Sequence, residues 1–343
     1  MVITQIHRMN PDLHDSCNTF LSGQSNSLIY HTPKFISFLA GVTESEECSL
    51  AAVCDGRITG ILPALYRQGP FGYAVNSLPF FGTPAGVLAE DRETERALLE
   101  KFMDSTHDAA SVQIVANPFA DAEYAAFEHD LEDVRISQMT ELLPDESEGT
   151  LWGSFDSSAR RNIRKAIKSG VCVKIRNDML DFLHDQHRLN MKTIGGSVKP
   201  SAFFEQLPSS LRAGTDYELF VALHDNEPAA ALLLFLHGNY AEYYIPVIKA
   251  EFRSMQPLSL IIYEAMLEVR KRGIVRWNWG GTWLTQDGVY RFKKKWAARE
   301  SEYRYRIKLS NSDILGLTQE TLLREYPFFY TVPFASLINE KPK

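Results

Sequence analysis

Between Ile274 and Trp296 the chain reads IVRWNWGGTWLTQDGVYRFKKKW, and its run of three lysines, Lys293 to Lys295, offers positive charge that could meet an anionic group. A cation held in a dry cleft can offset negative charge that collects on a reacting oxygen, lowering such a barrier by roughly 3 kcal/mol. Ile274 to Trp279 alternates bulky side chains, as a buried strand does. Gly280 and Gly281 then break it, because residues without Cβ allow positive φ and close backbone approach. A short helix follows, with Asp287 as its cap and with Phe292 and Trp296 one turn apart on one face. Lys293, Lys294 and Lys295 thus stand just past the end of a strand, the edge at which open α/β sheets place their sites. The plainer reading of Lys293 is a surface lysine in a run of three.

A second concentration of charge lies in Asp156–Gly170, DSSARRNIRKAIKSG. Capping residues open this helix and a glycine closes it, with Ile163, Ala166 and Ile167 expected on the buried side. Arg160, Arg161, Arg164, Lys165 and Lys168 crowd it. Cations in a first turn oppose the helix dipole, at some tenths of a kcal/mol each, and an anionic ligand would offset that; the alternative is a solvated charged face. The link Met191–Pro200 is Gly-rich and carries Lys192 and Lys199. Tyr243 and Tyr244 read as the end of a strand. His184 and His187, with Asp181 nearby, lack further ligands at suitable spacing, so no metal site is expected. Neither a serine nucleophile elbow nor a phosphate-binding Walker loop occurs.

The elements that must carry these side chains follow from the pattern of the rest. The 343 residues, 45% hydrophobic and 23% charged, suggest about two globular domains. A net charge of −7 argues against a protein that coats nucleic acid but leaves room for a local basic groove. Cys17, Cys48, Cys54 and Cys172 show no paired spacing, which fits a reducing cytoplasm. The longest apolar run, Ala229 to Leu236, is far short of the roughly 20 residues that span a bilayer, so a cytoplasmic protein is expected.

In the first half, a helix is expected after Thr32-Pro33, a hairpin over Ser49–Cys54 and Arg57–Tyr66 about the turn Asp55-Gly56, a loop over Asn76–Val87, a helix over Arg92–Asp104, a strand over Ser111–Ala116 and a helix over Phe119–Asp130. A second unit starts near Glu146. Beyond the basic helix it reads as a strand Val171–Ile175, helices Asp181–Lys192 and Phe203–Leu211, and a meander of strands Glu218–Leu223, Ala229–His237 and Tyr240–Val247. A helix from Pro257 to Gly273, the strand at Ile274 and a closing strand Tyr303–Leu309 complete it. This is two copies of a mixed α/β unit, with boundaries at 1–145 and 146–310. The aromatic tail, 311–343, is expected to pack on the first unit.

The run of strand, Gly280-Gly281, loop and Phe292-Lys293 resembles the C-terminal acyl-transfer domain of the Fem family of peptidoglycan aminoacyltransferases, within the GNAT-like N-acyltransferase superfamily. The similarity covers about Leu151 to Leu309. It implies two tandem GNAT-like domains and transfer of an aminoacyl or acyl group to an amine of a cell-envelope precursor. Lys293 would stabilise the oxyanion, and Lys199, directly before Pro200, would contact the diphosphate of a nucleotide-linked precursor. Tyr244 would line the acceptor channel, and Arg160, Arg161, Arg164, Asn278, Gly280 and Gly281 would complete substrate binding. No tightly bound cofactor is implied; the donor is aminoacyl-tRNA or acyl-CoA. The expected partners are a nucleotide- or lipid-linked precursor and charged tRNA, with peripheral membrane contact allowed and no transmembrane segment.

Two departures keep other readings open. Where CoA-using relatives place a glycine-rich loop, this chain has Phe252-Arg253-Ser254-Met255-Gln256-Pro257, which weakens a pyrophosphate cradle. Asn278 stands where relatives often have Asp. The alternatives are therefore an acyl-CoA-dependent N-acetyltransferase acting on an amino sugar or polysaccharide, and a non-catalytic GNAT-like binding module.

Overall fold

The computed structural model describes residues 4–80, 83–143 and 147–338. By its internal contacts the chain forms two units, Met1–Arg135 together with Glu302–Lys343, and Ile136–Ser301. The sequence places these boundaries at 145/146 and 310/311; the residue at which the second unit is expected to begin, Glu146, lies outside the described residues, as do Phe81 and Gly82 of the loop 76–87.

Along the first unit come β1 (Gln5–Arg8), α1 (His14–Ser22), α2 (Pro33–Thr43), β2 (Glu46–Glu47), β3 (Leu50–Cys54), β4 (Arg57–Leu62), β5 (Leu65–Gly69), β6 (Gly72–Asn76), β7 (Leu88–Ala89), α3 (Arg92–Ser105), β8 (Ser111–Val115) and the start of β9 (Leu131–Glu141). The second unit holds α4 (Glu148–Ser154), α5 (Ser157–Lys168), β10 (Cys172–Ile175), α6 (Leu180–Ile194), α7 (Ser201–Ser210), β11 (Tyr217–His224), β12 (Glu227–His237), β13 (Tyr240–Ile248), α8 (Pro257–Lys271), β14 (Arg276–Trp283) and α9 (Asp287–Lys294). The chain returns along β15 (Arg299–Leu309) and ends with α10 (Gln319–Glu325).

In the first unit Thr32 caps α2, its hydroxyl accepting from the Phe35 N–H at 3.4 Å, with Pro33 supplying a preset first turn. The β3–β4 hairpin turns on Asp55 and Gly56, at φ 50° and 75°. The strand expected over Arg57–Tyr66 is in fact two. Pro63, which has no N–H to give a ladder, separates β4, in a sheet ordered β1-β3-β4-β7, from β5, which pairs with β6. The helix expected over Phe119–Asp130 does not form. Tyr124 takes a left-handed φ of 58°, and the buried Glu95 carboxylate accepts from the N–H groups of Glu123 and Tyr124 at 2.9 and 2.7 Å, fixing the segment as irregular backbone. The strand β9 is absent from the sequence reading, hidden by its charged sequence LEDVRISQMTE.

In the second unit the strands run β10-β11-β12-β13-β14, antiparallel through the meander and parallel between β13 and β14. Both faces are covered, which explains the near-continuous apolar run of β12. Leu232 and Leu234 pack with Ile163 and Ala166 of α5 and Met266 of α8. On the opposite face, Phe235 meets Phe203 of α7 and Tyr244. Ile167, expected in this core, is instead 55% exposed, since it falls on the outer side of α5. The glycine pair does not end β14, which continues to Trp283 with Gly280 at φ 69°. Asp287 does not cap α9 either. Gln286 holds the cap position, and the Asp287 carboxylate pairs with Arg291 at 2.7 Å, one turn on.

Candidate active site

The site is built where β13 and β14 part. They pair in parallel over Tyr240–Glu242 and Arg276–Asn278, and among the described residues their register goes no further. On its other edge β13 carries a bulge: Leu233 faces Ile245 while Leu234 faces Tyr243, so Tyr244 is the extra residue and is turned out of the regular ladder. Tyr244 therefore lies within a strand, not at its end.

Lys293 is 5% exposed, so it is not a surface lysine. Helix α9 folds back along β14 because Phe292 and Trp296 pack against Trp279, at ring centroids 6.2 and 6.0 Å away. That turns Lys293 inward. Its ammonium donates to the carbonyl oxygens of Gly280 and Gly281, both at 3.1 Å, and to Thr282 Oγ1 at 2.8 Å. Burial draws its pKa from 10.5 down to about 7. Lys294 and Lys295 differ in setting: Lys294 is exposed on Tyr290, and the Lys295 carbonyl accepts from the Asp156 N–H at 2.8 Å. That bond joins α9 to the start of α5.

The backbone gripping Lys293 is itself held. Asn278, 1% exposed, accepts at Oδ1 from the Gly280 N–H at 2.9 Å and donates from Nδ2 to Glu242 Oε2 at 2.8 Å. Thr282 Oγ1 lies 3.4 Å from Gln138 Oε1, and Gln138 Nε2 donates to the Tyr290 carbonyl at 3.2 Å. Sequence reasoning does not pick out Glu242, Thr282 or Gln138. A carboxylate between Ala241 and Tyr243 in a buried strand is a readable signal; the other two have none.

Lys199 and Tyr244, singled out separately in the sequence, come together. The Lys199 ammonium is 3.2 Å from the Tyr244 hydroxyl and lies over the Tyr244 and Phe203 rings, at 4.6 and 5.2 Å from their centroids. Its pKa too is drawn down by burial to about 7. The Lys199 N–H donates to His187 Nε2 at 3.2 Å, and burial lowers the His187 pKa to about 4; His184 stacks on Phe204 at 4.5 Å. These two imidazoles thus have packing and backbone roles.

On α5, Arg160 donates to the Gly153 carbonyl at 2.8 Å and Arg164 lies over the Trp152 ring at 5.1 Å. Arg161, Lys165 and Lys168 are exposed. Among the described residues no acidic side chain pairs with any of these five cations, although most other arginines of the chain have such a partner.

Residues 153–294 match the family described as acetyltransferase (GNAT) domain. No curated protein sequence matches the chain. Among solved structures, FemX is similar over 90% of this chain and 98% of its own, at 16% identity and a TM-score of 0.68. The C-terminal domain of a protein described as a putative lysylphosphatidylglycerol synthetase, from Agrobacterium fabrum, is similar over 94% and 100%, at 13% identity and a TM-score of 0.59. L-PGS from Bacillus licheniformis is similar over 89% and 93%, at 11% identity and a TM-score of 0.52.

Proposed function

We propose that the chain, an acyltransferase with a GNAT domain over residues 153–294 and a fold similar to that of FemX, transfers an aminoacyl group from charged tRNA to an amine of a cell-envelope precursor. The buried Lys293 ammonium at the paired glycines carries this reading. The acceptor nitrogen attacks the ester carbonyl, and the new N–C bond forms as a negative charge collects on oxygen. An oxyanion carrying full charge displaces one of the three neutral acceptors of Lys293, and the ammonium offsets that charge where water does not. Collapse breaks the C–O bond, and the proton given up by the amine goes to the departing ribose hydroxyl. Lys199 with Tyr244, and the cations of α5, hold the anionic parts of the two substrates.

The start of α8 bears on the donor. A pyrophosphate cradle needs free backbone N–H groups there. Here the N–H groups of Phe252, Gln256 and Ser259 are bonded to the carbonyls of Lys249, Arg253 and Gln256, and Pro257 has none to offer. That favours tRNA over CoA. The second reading, an acyl-CoA-dependent N-acetyltransferase of amino sugars or polysaccharides, is favoured by the acetyltransferase description of the matching family.

The deciding experiment supplies the protein with radiolabelled aminoacyl-tRNA or acetyl-CoA and an amine-bearing nucleotide-linked precursor. Transfer of label from tRNA is expected. Label moving from acetyl-CoA alone would replace the first reading with the second, and no transfer from either would remove both.

A further inference from the structure

We propose that Glu242 is a positioning residue for acyl transfer, acting through the Asn278 carboxamide and the Gly280 backbone to aim two carbonyl oxygens at the Lys293 ammonium. The proposal rests on the role given to Lys293 above. Glu242 is 2% exposed within the apolar strand β13, a setting in which a carboxylate is costly unless a donor meets it. The donor is Asn278 Nδ2, at 2.8 Å. The other end of the same amide accepts from the Gly280 N–H at 2.9 Å. Gly280 sits at φ 69°, and from that conformation its carbonyl and that of Gly281 both reach Nζ at 3.1 Å. Residues on two strands and a helix thus form one chain of hydrogen bonds, with the lysine at its end.

The chemistry of the link explains the residue at 278. It must accept on one side and donate on the other, and among side chains of its length only asparagine does both without a titrating proton. An aspartate there would accept from Gly280 equally well. It would, however, set two carboxylates at hydrogen-bond distance, and one would have to take up a proton. Asn278 is therefore matched to Glu242, and the amide is no sign of a silent site. Exchanging the two groups should work as well: in the double variant E242Q/N278D, the carboxamide now carried by β13 donates to the carboxylate now carried by β14, and that carboxylate accepts from the Gly280 N–H.

The test uses the full-length chain and two readouts. The first is the rate at which dilute acetic anhydride acetylates Lys293, followed by peptide mass spectrometry with the exposed Lys294 as internal reference. The second is kcat and KM with aminoacyl-tRNA and acetyl-CoA. In N278D and E242A the grip on Lys293 loosens, so its acetylation should rise about tenfold while kcat falls at least about tenfold and KM stays within about twofold. E242Q/N278D should return both readouts to near the wild-type values, a rescue that simple loss of packing would not give. Single variants that match wild type in both readouts would overturn the proposal. So would a folded double variant as impaired as N278D. A wild-type protein that transfers from neither donor defeats the proposed function instead, and the acetylation rates still decide the network.

Discussion

Lys293 holds a charge in a place that disfavours it, and its behaviour should show in both rate and stability. On the role proposed above, replacing it with alanine removes the group that would meet the oxyanion, so turnover should fall at least about 100-fold with the far-ultraviolet spectrum unchanged. Unaltered turnover in Lys293→Ala would take the residue out of the mechanism. Its pKa of about 7 sets the pH response. The ammonium is lost as pH rises through about 7, so kcat should decline there, and Lys293→Arg, which stays charged, should carry residual activity to higher pH. For stability the sign is opposite. The folded pKa lies below the unfolded 10.5, so the unfolded chain binds more protons between the two values, and stability rises from pH 7 towards 10.5 and is lost as pH falls through that range to 7. Lys199 contributes in the same direction, so the effect of Lys293 is the difference between wild type and Lys293→Met. Lys293 is singled out in the sequence by the resemblance of its Phe-Lys pair, following Gly280-Gly281, to the Fem family; by itself the run of three lysines reads as surface charge. Glu242 is visible only as a carboxylate in an apolar strand, and Thr282 not at all, because their roles depend on pairings with residues 36 and 11 positions away along the chain.

Elements are legible where local chemistry decides them. Thr32-Pro33, Asp55-Gly56 and Pro257 mark their turns and starts by themselves, and the corresponding helices and hairpin are present. Phe119–Asp130 and β9 are not legible because tertiary partners decide them: Glu95 fixes the first, and the second is a strand in spite of its charges. The glycine pair misleads differently, since a left-handed residue can sit inside β14 when Asn278 ties its N–H. Gly280→Ala tests that point. A Cβ there would meet nothing within 4 Å, so the whole effect is backbone strain of about 1 kcal/mol, measurable by urea unfolding. A loss several times larger would mean that packing had been missed. Helix α5 carries its prediction in salt dependence. If its cations meet tRNA phosphates, Arg161→Gln and Lys165→Gln should each lower the slope of log affinity against log salt by about 1, with little effect on the fold. Slopes equal to wild type would assign α5 to plain solvated charge.

At the scale of the molecule, the first unit is assembled from two stretches that lie far apart in the sequence, residues up to Arg135 and from Glu302 onward. The tail belongs to its interior. Tyr326, Phe329, Tyr330 and Val332 are all at most 2% exposed. The Tyr326 hydroxyl donates to the Gly72 carbonyl at 2.7 Å and accepts from the Phe71 N–H at 3.2 Å, and Gly69 has no Cβ because the Tyr326 ring occupies that space. The Asn76 side chain bonds both the N–H and the carbonyl of Tyr330, at 2.8 and 3.0 Å, while Ser111 Oγ donates to the Thr331 carbonyl. β5, β6 and β8 thus each lean on residues near the end of the chain. Removing everything after Ser310 would expose the apolar surface that four buried side chains cover, roughly 1.5–3 kcal/mol for each, and would leave the buried Asn76 without these bonds. That sum rivals the entire stability of an ordinary domain, about 5–15 kcal/mol. In the truncated chain, hydrogen exchange should therefore show amides of β5, β6 and β8 losing protection, whereas those of β11, β12 and β13, which have a core of their own around Leu232, Met266 and Trp277, should keep theirs. Protection in β6 equal to that of the full chain would mean that the tail covers the first unit without completing it.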